Sequence, residues 1–198
     1  MATFTKTIQT ALASLQNIAA STVVVGSAFD FGTKLGGIIG VRFGRRSATA
    51  SSAGCNIRLE CSFHASLDNS WYPFAVLTTS FALVESEAVT GTVASGQKVI
   101  TVASTTNLIA GGIIFISNGT AGNSEWARIV SVVTNTSVTI EDNLVNAQTS
   151  STIYAGAEIF NGINVPDGCK RIRAVIDGSL FTQAYSIEVD LITIDSIA

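Results

Sequence analysis

Charge is scarce in this 198-residue chain, at 13% of residues against about 25% in ordinary soluble domains. A free monomer with so little surface charge would be poorly soluble. The simplest explanation is that other subunits cover much of its surface. Proline occurs only twice, and histidine and methionine once each. No run approaches the ~20 apolar residues a membrane helix needs, so the mean hydropathy of +0.45 is not a transmembrane signal and no membrane partner is expected. The first 21 residues lack a charged segment followed by a compact apolar core, and they do not read as a signal peptide. The net charge is −3, with no basic run beyond Arg45 and Arg46. That argues against broad nucleic-acid or anionic-membrane binding.

Cysteine is sparse as well. Cys55, Cys61 and Cys169 have no Cys-x-x-Cys spacing and a single histidine to help them, so a zinc site is poorly supported. Cys55 and Cys61 share a face of one predicted strand, six residues apart. That separation is about 20 Å, too far for a disulfide. Either can pair with Cys169 or remain a buried thiol, and the odd count leaves at least one thiol unpaired within the chain. A bridge between subunits is the sharper alternative.

What the chain does hold is Thr, Ser, Val and Ile in quantity, with 17 glycines. This composition fits an all-β protein with many turns. Residues 89–155 organise the rest and read as a small closed β module. Within it, 98–103 (KVITVA) is a strand rich in β-branched residues. The run 113–117 (IIFIS) is continuously apolar, which suggests burial on both faces. The loop 118–123 (NGTAGN) leads to 125–133 (EWARIVSVV), where Trp126, Ile129 and Val132 are the expected core contacts and Arg128 and Ser131 the exposed positions. Strands at 137–140 and 153–154 complete the unit. About five short strands suggest an SH3-like or related barrel, whose closure removes unpaired edges.

The flanking segments, 22–88 and 156–198, read as two halves of an outer β-sandwich or jelly-roll-like domain that the module interrupts. Strands are expected at 22–25, 36–43, 55–66, 71–77 and 80–84, and again at 159–163, 170–177 and 184–194. The glycines of 36–43 (GGIIGVRF) suggest bends or close backbone approach. Residues 55–64 alternate cleanly, with Cys55, Ile57, Leu59, Cys61 and Phe63 on one face. Tyr185, Ile187, Val189 and Leu191 alternate in the same way with Ser186, Glu188 and Asp190. Residues 1–21 form a third segment, an N-terminal helix or extended arm. Ile8, Leu12, Leu15 and Ala19 fall at helical spacing, while frequent Thr and Ser with weak caps favour the extended form. Phe4, Ile8, Leu12 and Leu15, together with the basic spot at Arg45 and Arg46, are the candidate subunit contacts.

No catalytic constellation emerges. The loop 91–98 (GTVASGQK) superficially resembles a phosphate-binding loop. It fails because Gln97 separates Gly96 from Lys98 and a strand follows where a helix N-terminus is required. His64 lies on the polar face of its strand, and no Gly-x-Ser-x-Gly elbow accompanies it. Glu85 with Glu87, and Glu141 with Asp142, have no further ligands nearby in sequence. No catalytic, cofactor-binding or metal-binding residue is assigned.

Four stretches carry a resemblance: GSAFDFGTKLGGIIGVRFGRR, SGQKVITVASTTNLIAGGIIFISNGTAGNSEWARIVSV, VTIEDNL and DGSLFTQAYSIEVDLI. Together they resemble a group of accessory structural proteins of tailed bacteriophages. The resemblance implies a β-rich, symmetric, non-enzymatic protein of the virion, assembled in the bacterial host cytoplasm. It would sit on the head as a decoration or cement protein, or at the neck and head–tail junction. Its partners would be other copies of itself and other virion proteins, with no cofactor and no nucleic acid. The competing classes are a host-attachment carbohydrate-binding module, which would expose Trp71, Trp126 or Tyr154 as stacking platforms, and a cell-wall-degrading virion enzyme, which would bring Glu85, Glu87 or Asp142 together in a cleft.

Overall fold

A computed structural model describes residues 4–45, 54–67, 69–79, 86–180 and 182–197, and the side chains of residues 4–11, 45, 196 and 197 lie outside that description. The chain is all-β. In order, the strands are β1 (Phe4–Ile18), β2 (Val23–Val25), β3 (Phe29–Asp30), β4 (Gly36–Arg45), β5 (Asn56–Ser62) and β6 (Tyr72–Thr78). Next come β7 (Ser86–Ala88), β8 (Thr92–Val93), β9 (Val99–Thr101), β10 (Ile113–Ser117), β11 (Glu125–Val133) and β12 (Ser137–Ile140). The remaining strands are β13 (Gln148–Thr149), β14 (Thr152–Ala155), β15 (Glu158–Asn164), β16 (Arg171–Asp177) and β17 (Tyr185–Ile197). The expected strand at 80–84 lies outside the described residues.

Two sheets face each other across one core. The first has the order β1-β17-β4-β15, and the second β2-β16-β5-β6 with β3 also on β16. The long ladder between β17 and β4 runs from Tyr185↔Arg45 to Ile194↔Gly36. Period-2 alternation decides which residues fill the space between the sheets. Ile39, Val41 and Phe43 from β4 and Tyr185, Ile187, Val189 and Leu191 from β17 meet Ile57 and Leu59 from β5 and Ile172 and Ile176 from β16, all fully buried. Phe43 and Tyr185 stack with ring centroids 4.8 Å apart. Gly37 faces the same core, and a Cβ there would lie 2.8 Å from the ring of Phe31. Phe63 departs from its expected alternation: β5 ends at Ser62, and Phe63 is exposed.

Helical spacing at the N-terminus does not produce a helix. Residues 4–18 form β1, antiparallel to β17, with register shifts between Thr5 and Lys6, Gln9 and Ala13, and Ala13 and Gln16. These bulges insert extra residues into the strand and break its two-residue period. Of the described residues at helical spacing, Leu12 is buried and Leu15 half-buried, whereas Ala19 is exposed, so they form no single apolar stripe. Leu12, Ala13 and Ile18 are buried in the sandwich core of their own chain. The segment thus has an internal place.

A second hydrophobic core lies within the interrupting module. It gathers Val89, Ile100, Val102, Ile114, Ile116, Ile129, Val138, Ile140 and Ile153. The sheet around it has the order β7-β14-β10-β11-β12-β9, with β13 and β8 paired beside it. It curls so far that its end strands meet: Val89, just after β7, bridges Val102, just after β9. Flanking bonds, Thr90 N–H to Thr101 O at 2.9 Å and Ala103 N–H to Ala88 O at 3.3 Å, reinforce the contact. The chain enters on β7 and leaves on β14, which are paired from Ser86↔Tyr154 to Ala88↔Thr152. Entry and exit are therefore one strand spacing apart, about 5 Å, a separation that a short turn can replace.

We therefore expect that deleting residues 86–157 and joining the ends with a short Gly/Ser turn leaves a cooperatively folding sandwich, less stable than the whole chain. Far-UV circular dichroism with a sigmoidal thermal melt checks this. A product without a cooperative transition would show that the sandwich core cannot form without the insert.

Candidate functional site: the junction between the two modules

The two cores are joined where the outer face of the β17–β4 ladder meets the back of the insert's sheet. Along β4, Ile39, Val41 and Phe43 point inward, so Arg42 and Gly44 point outward. Gly44 is the seat of the contact. A Cβ on it would lie 2.7 Å from Phe115 Cβ and 2.8 Å from Trp126 Cζ3. Only a residue without a side chain lets these rings come so close. Phe115 is fully buried, although its neighbours Ile114 and Ile116 point the opposite way into the insert's own core. The unbroken apolar run of β10 is explained by this two-sided burial. Trp126, expected in the insert's core beside Ile129, faces the junction instead. It packs on Phe115 with centroids 4.6 Å apart. Offset aromatic pairs of this kind contribute about 0.5–1.5 kcal/mol beyond their area burial.

Polar groups extend the junction along β17. Trp126 Nε1–H donates to Glu188 Oε2 at 3.1 Å. Arg42 Nη2 lies 3.2 Å from the same oxygen and also pairs with Asp190. Ser186, fully buried, donates to Asn17 Oδ1 at 2.9 Å. Burial raises the Glu188 carboxyl above its ordinary value, and Asp190 adds to the shift; Arg42 and the Trp126 bond oppose it. Beside the junction is a cleft of about 370 Å³ bordered by Leu15, Arg42, Trp126, Asp142 and Glu188. A second groove of about 410 Å³ lies further along the same face, over Ile38, Gly40, Ile159, Asn161 and Ile192.

Most carboxylates near the cleft are already engaged. Glu125 accepts from the backbone N–H of Val145 at 2.9 Å and of Asn146 at 3.2 Å, and from Gln148 Nε2 at 2.7 Å. It thereby pins the 142–147 loop to the start of β11. Glu141 faces Arg128 at 3.5 Å, with both side chains exposed. Glu87 sits in β7 opposite Ile153, while Glu85 lies outside the described residues. Glu87, Asp142 and Glu141 are therefore not gathered at one point. Among the described residues, no group of three His, Cys, Asp or Glu side chains could hold a metal ion.

His64 follows β5, and its main chain rather than its ring is engaged: its carbonyl accepts from Ser62 Oγ and Arg171 Nε, each at 3.1 Å. The other face of β5 also departs from simple solvation. Glu60 is 5% exposed, and it is held by Arg58 at 2.6 Å and Arg173 at 2.8 Å. A buried carboxylate needs such pairing. Trp71 lies alongside, its ring 4.2 Å from the Arg173 guanidinium carbon and 4.9 Å from that of Arg171. Trp71 and Trp126 are both half-buried, and each has a ring contact within the chain. Tyr154 lies in β14.

Of the candidate subunit contacts, Leu12 is 4% exposed in its own core, and Leu15 borders the junction cleft. The backbones of Phe4, Ile8 and Arg45 pair with β17. Arg46 lies outside the described residues. The cysteines are all free and buried. No helix among the described residues is long and apolar enough to cross a membrane.

No family model matches the chain, and neither does any curated protein. Among solved structures it is similar to a chain of the complex of VP16 and VP17, the two major capsid proteins of bacteriophage P23-77. The identity is 8%, the TM-score 0.21, and the coverage 98% of this chain and 100% of that one. A likeness at that level carries no argument about role.

The junction makes two predictions. Gly44→Ala should destabilise the protein by about 1–3 kcal/mol, the usual range for overpacking. Denaturant unfolding measures it, and an unchanged midpoint would place the rings elsewhere. The second concerns pH. Because the folded-state carboxyl of Glu188 titrates above its unfolded value, ionising it opposes folding. Its contribution therefore becomes more favourable as pH falls from neutral through the folded value toward the ordinary carboxylate value. Glu188→Gln should lose that component. The difference in melting temperature between variant and wild type should change across this window, and parallel curves would contradict the assignment.

Proposed function

We propose that this chain is a non-enzymatic structural subunit of a tailed-phage virion. It would serve as a capsid decoration or cement protein, or as a neck or head–tail junction protein, and would stabilise the particle through symmetric contacts with copies of itself and with other virion proteins. The sequence resemblance suggests the setting. The observation that carries the subunit role is the outer face of the second sheet.

There the register places Val25, Val175, Arg58 and Val76 in one cross-strand row, with Val23 in the neighbouring row. Directly opposed residues on antiparallel strands share a face. Val23, Val25 and Val76 are 54%, 55% and 60% exposed. Exposed β-branched residues flanking Val175, itself only 3% exposed, in a chain with 13% charged residues, suit a surface that another subunit covers. Each such side chain contributes roughly 1.5–3 kcal/mol on full burial. Phe4, Ile8 and Leu15 of β1, the edge strand of the first sheet, are further proposed contacts, as are Arg45 at the end of β4 and Arg46.

Quantitative mass spectrometry of purified particles tests this reading. The chain should be present at a copy number matching the capsid lattice or a neck ring. The Val25→Lys/Val76→Lys variant should fold with near-normal stability, since surface changes usually cost within ±0.5 kcal/mol, yet be depleted from particles. Absence of the wild-type chain from particles, or full incorporation of the variant, would overturn the proposal.

A further inference from the structure

We propose that Cys61 and Cys169 are a latent disulfide, which a small-molecule disulfide can close within the folded chain. Cys61, near the end of β5, stands opposite Ile172 of β16. Cys169 precedes that strand in a tight turn, where its N–H donates to Pro166 O at 3.2 Å. The next residue anchors the turn against β5, with Lys170 N–H donating to Ser62 O at 2.8 Å. Both cysteines face the sandwich core, 2% and 8% exposed. The two thiols lie close enough for each to shift the titration of the other, and Cys169 Sγ–H donates to Arg171 O at 3.1 Å. Cys55 is excluded: it lies about 20 Å away along β5, with its sulfur 3.7 Å from Asp177 O at the other end of the strand.

The reaction balances as a double thiol–disulfide exchange. One cysteine thiolate attacks the small disulfide, forming a mixed disulfide and releasing one small thiol. The second cysteine then displaces the other small thiol. Two protein thiols are oxidised, one small disulfide is reduced, and the two S–H protons end on the two small thiols. Burial raises both thiols above the ordinary value, Cys169 to about 12, so closure is slow at neutral pH and faster in alkali. Cys61 precedes the insert and Cys169 follows it. The bond would therefore close a loop around the whole inserted module and tie the two halves of the sandwich together. This inference stands apart from the virion reading.

The intact protein is incubated with oxidised glutathione at pH 7 and at pH 9, quenched with acid, and mapped by non-reducing peptide mass spectrometry. The expected result is a Cys61–Cys169 cross-linked peptide, formed faster at pH 9, with Cys55 recovered as a free thiol. The oxidised form should melt roughly 5–15 °C higher, as expected for a large closed loop. Cys55→Ala should leave the cross-link intact, whereas Cys169→Ala should abolish it. Three free thiols after prolonged exposure, stable glutathione adducts without the cross-link, or bridges through Cys55 or between chains would each overturn the proposal.

Discussion

The two modules are held in one orientation by a missing side chain. Gly44 leaves the outer face of the sandwich open at the point where Phe115 and Trp126 approach. The covalent connections alone would leave the insert hinged on two adjacent strands. With Phe115 fully buried against the sandwich, rotation about that hinge would expose a large aromatic surface. Arg42, Glu188 and Asp190 continue the contact in polar form, and their geometry depends on the ring of Trp126 being in place. Sandwich core, junction and insert core then stack as three successive layers of burial, so a disturbance at Gly44 is felt on both sides.

Much of the fold was legible from periodicity. Residues 113–117, 125–133 and 137–140 were readable as strands because β-branched runs ended at clear turn residues. The alternations from Cys55 to Cys61 and from Tyr185 to Leu191 correctly separate core from outer face. The N-terminus allowed two readings, helix or extended arm, and it is extended. Bulges in β1 set its inward residues, Leu12, Ala13 and Ile18, off the helical spacing that the sequence suggests. Nothing in the local sequence reveals those bulges, because they are imposed by the register of the distant strand β17.

The junction was less legible. The continuous apolar run around Phe115 signals burial on two faces, but not what covers the second face. Trp126 and Ile129 are three residues apart on one strand, so two-residue alternation sets them on opposite faces; what covers the Trp126 face is visible only in the tertiary structure. Gly44 is one of 17 glycines, and no local pattern separates it from those at turns. The polar face of β5 is a similar case. Glu60 alternates with core residues, yet it is 5% exposed and paired with Arg58 of its own strand and Arg173 of the distant strand β16.

The central claim is that the Gly44 seat couples two hydrophobic cores into a single cooperative structure. Differential scanning calorimetry of the whole chain tests it most directly. One heat-absorption peak is predicted, with calorimetric and van't Hoff enthalpies in agreement, as for a two-state unit. Two resolved peaks, or a calorimetric enthalpy well above the van't Hoff value, would show that insert and sandwich melt independently and would contradict the account.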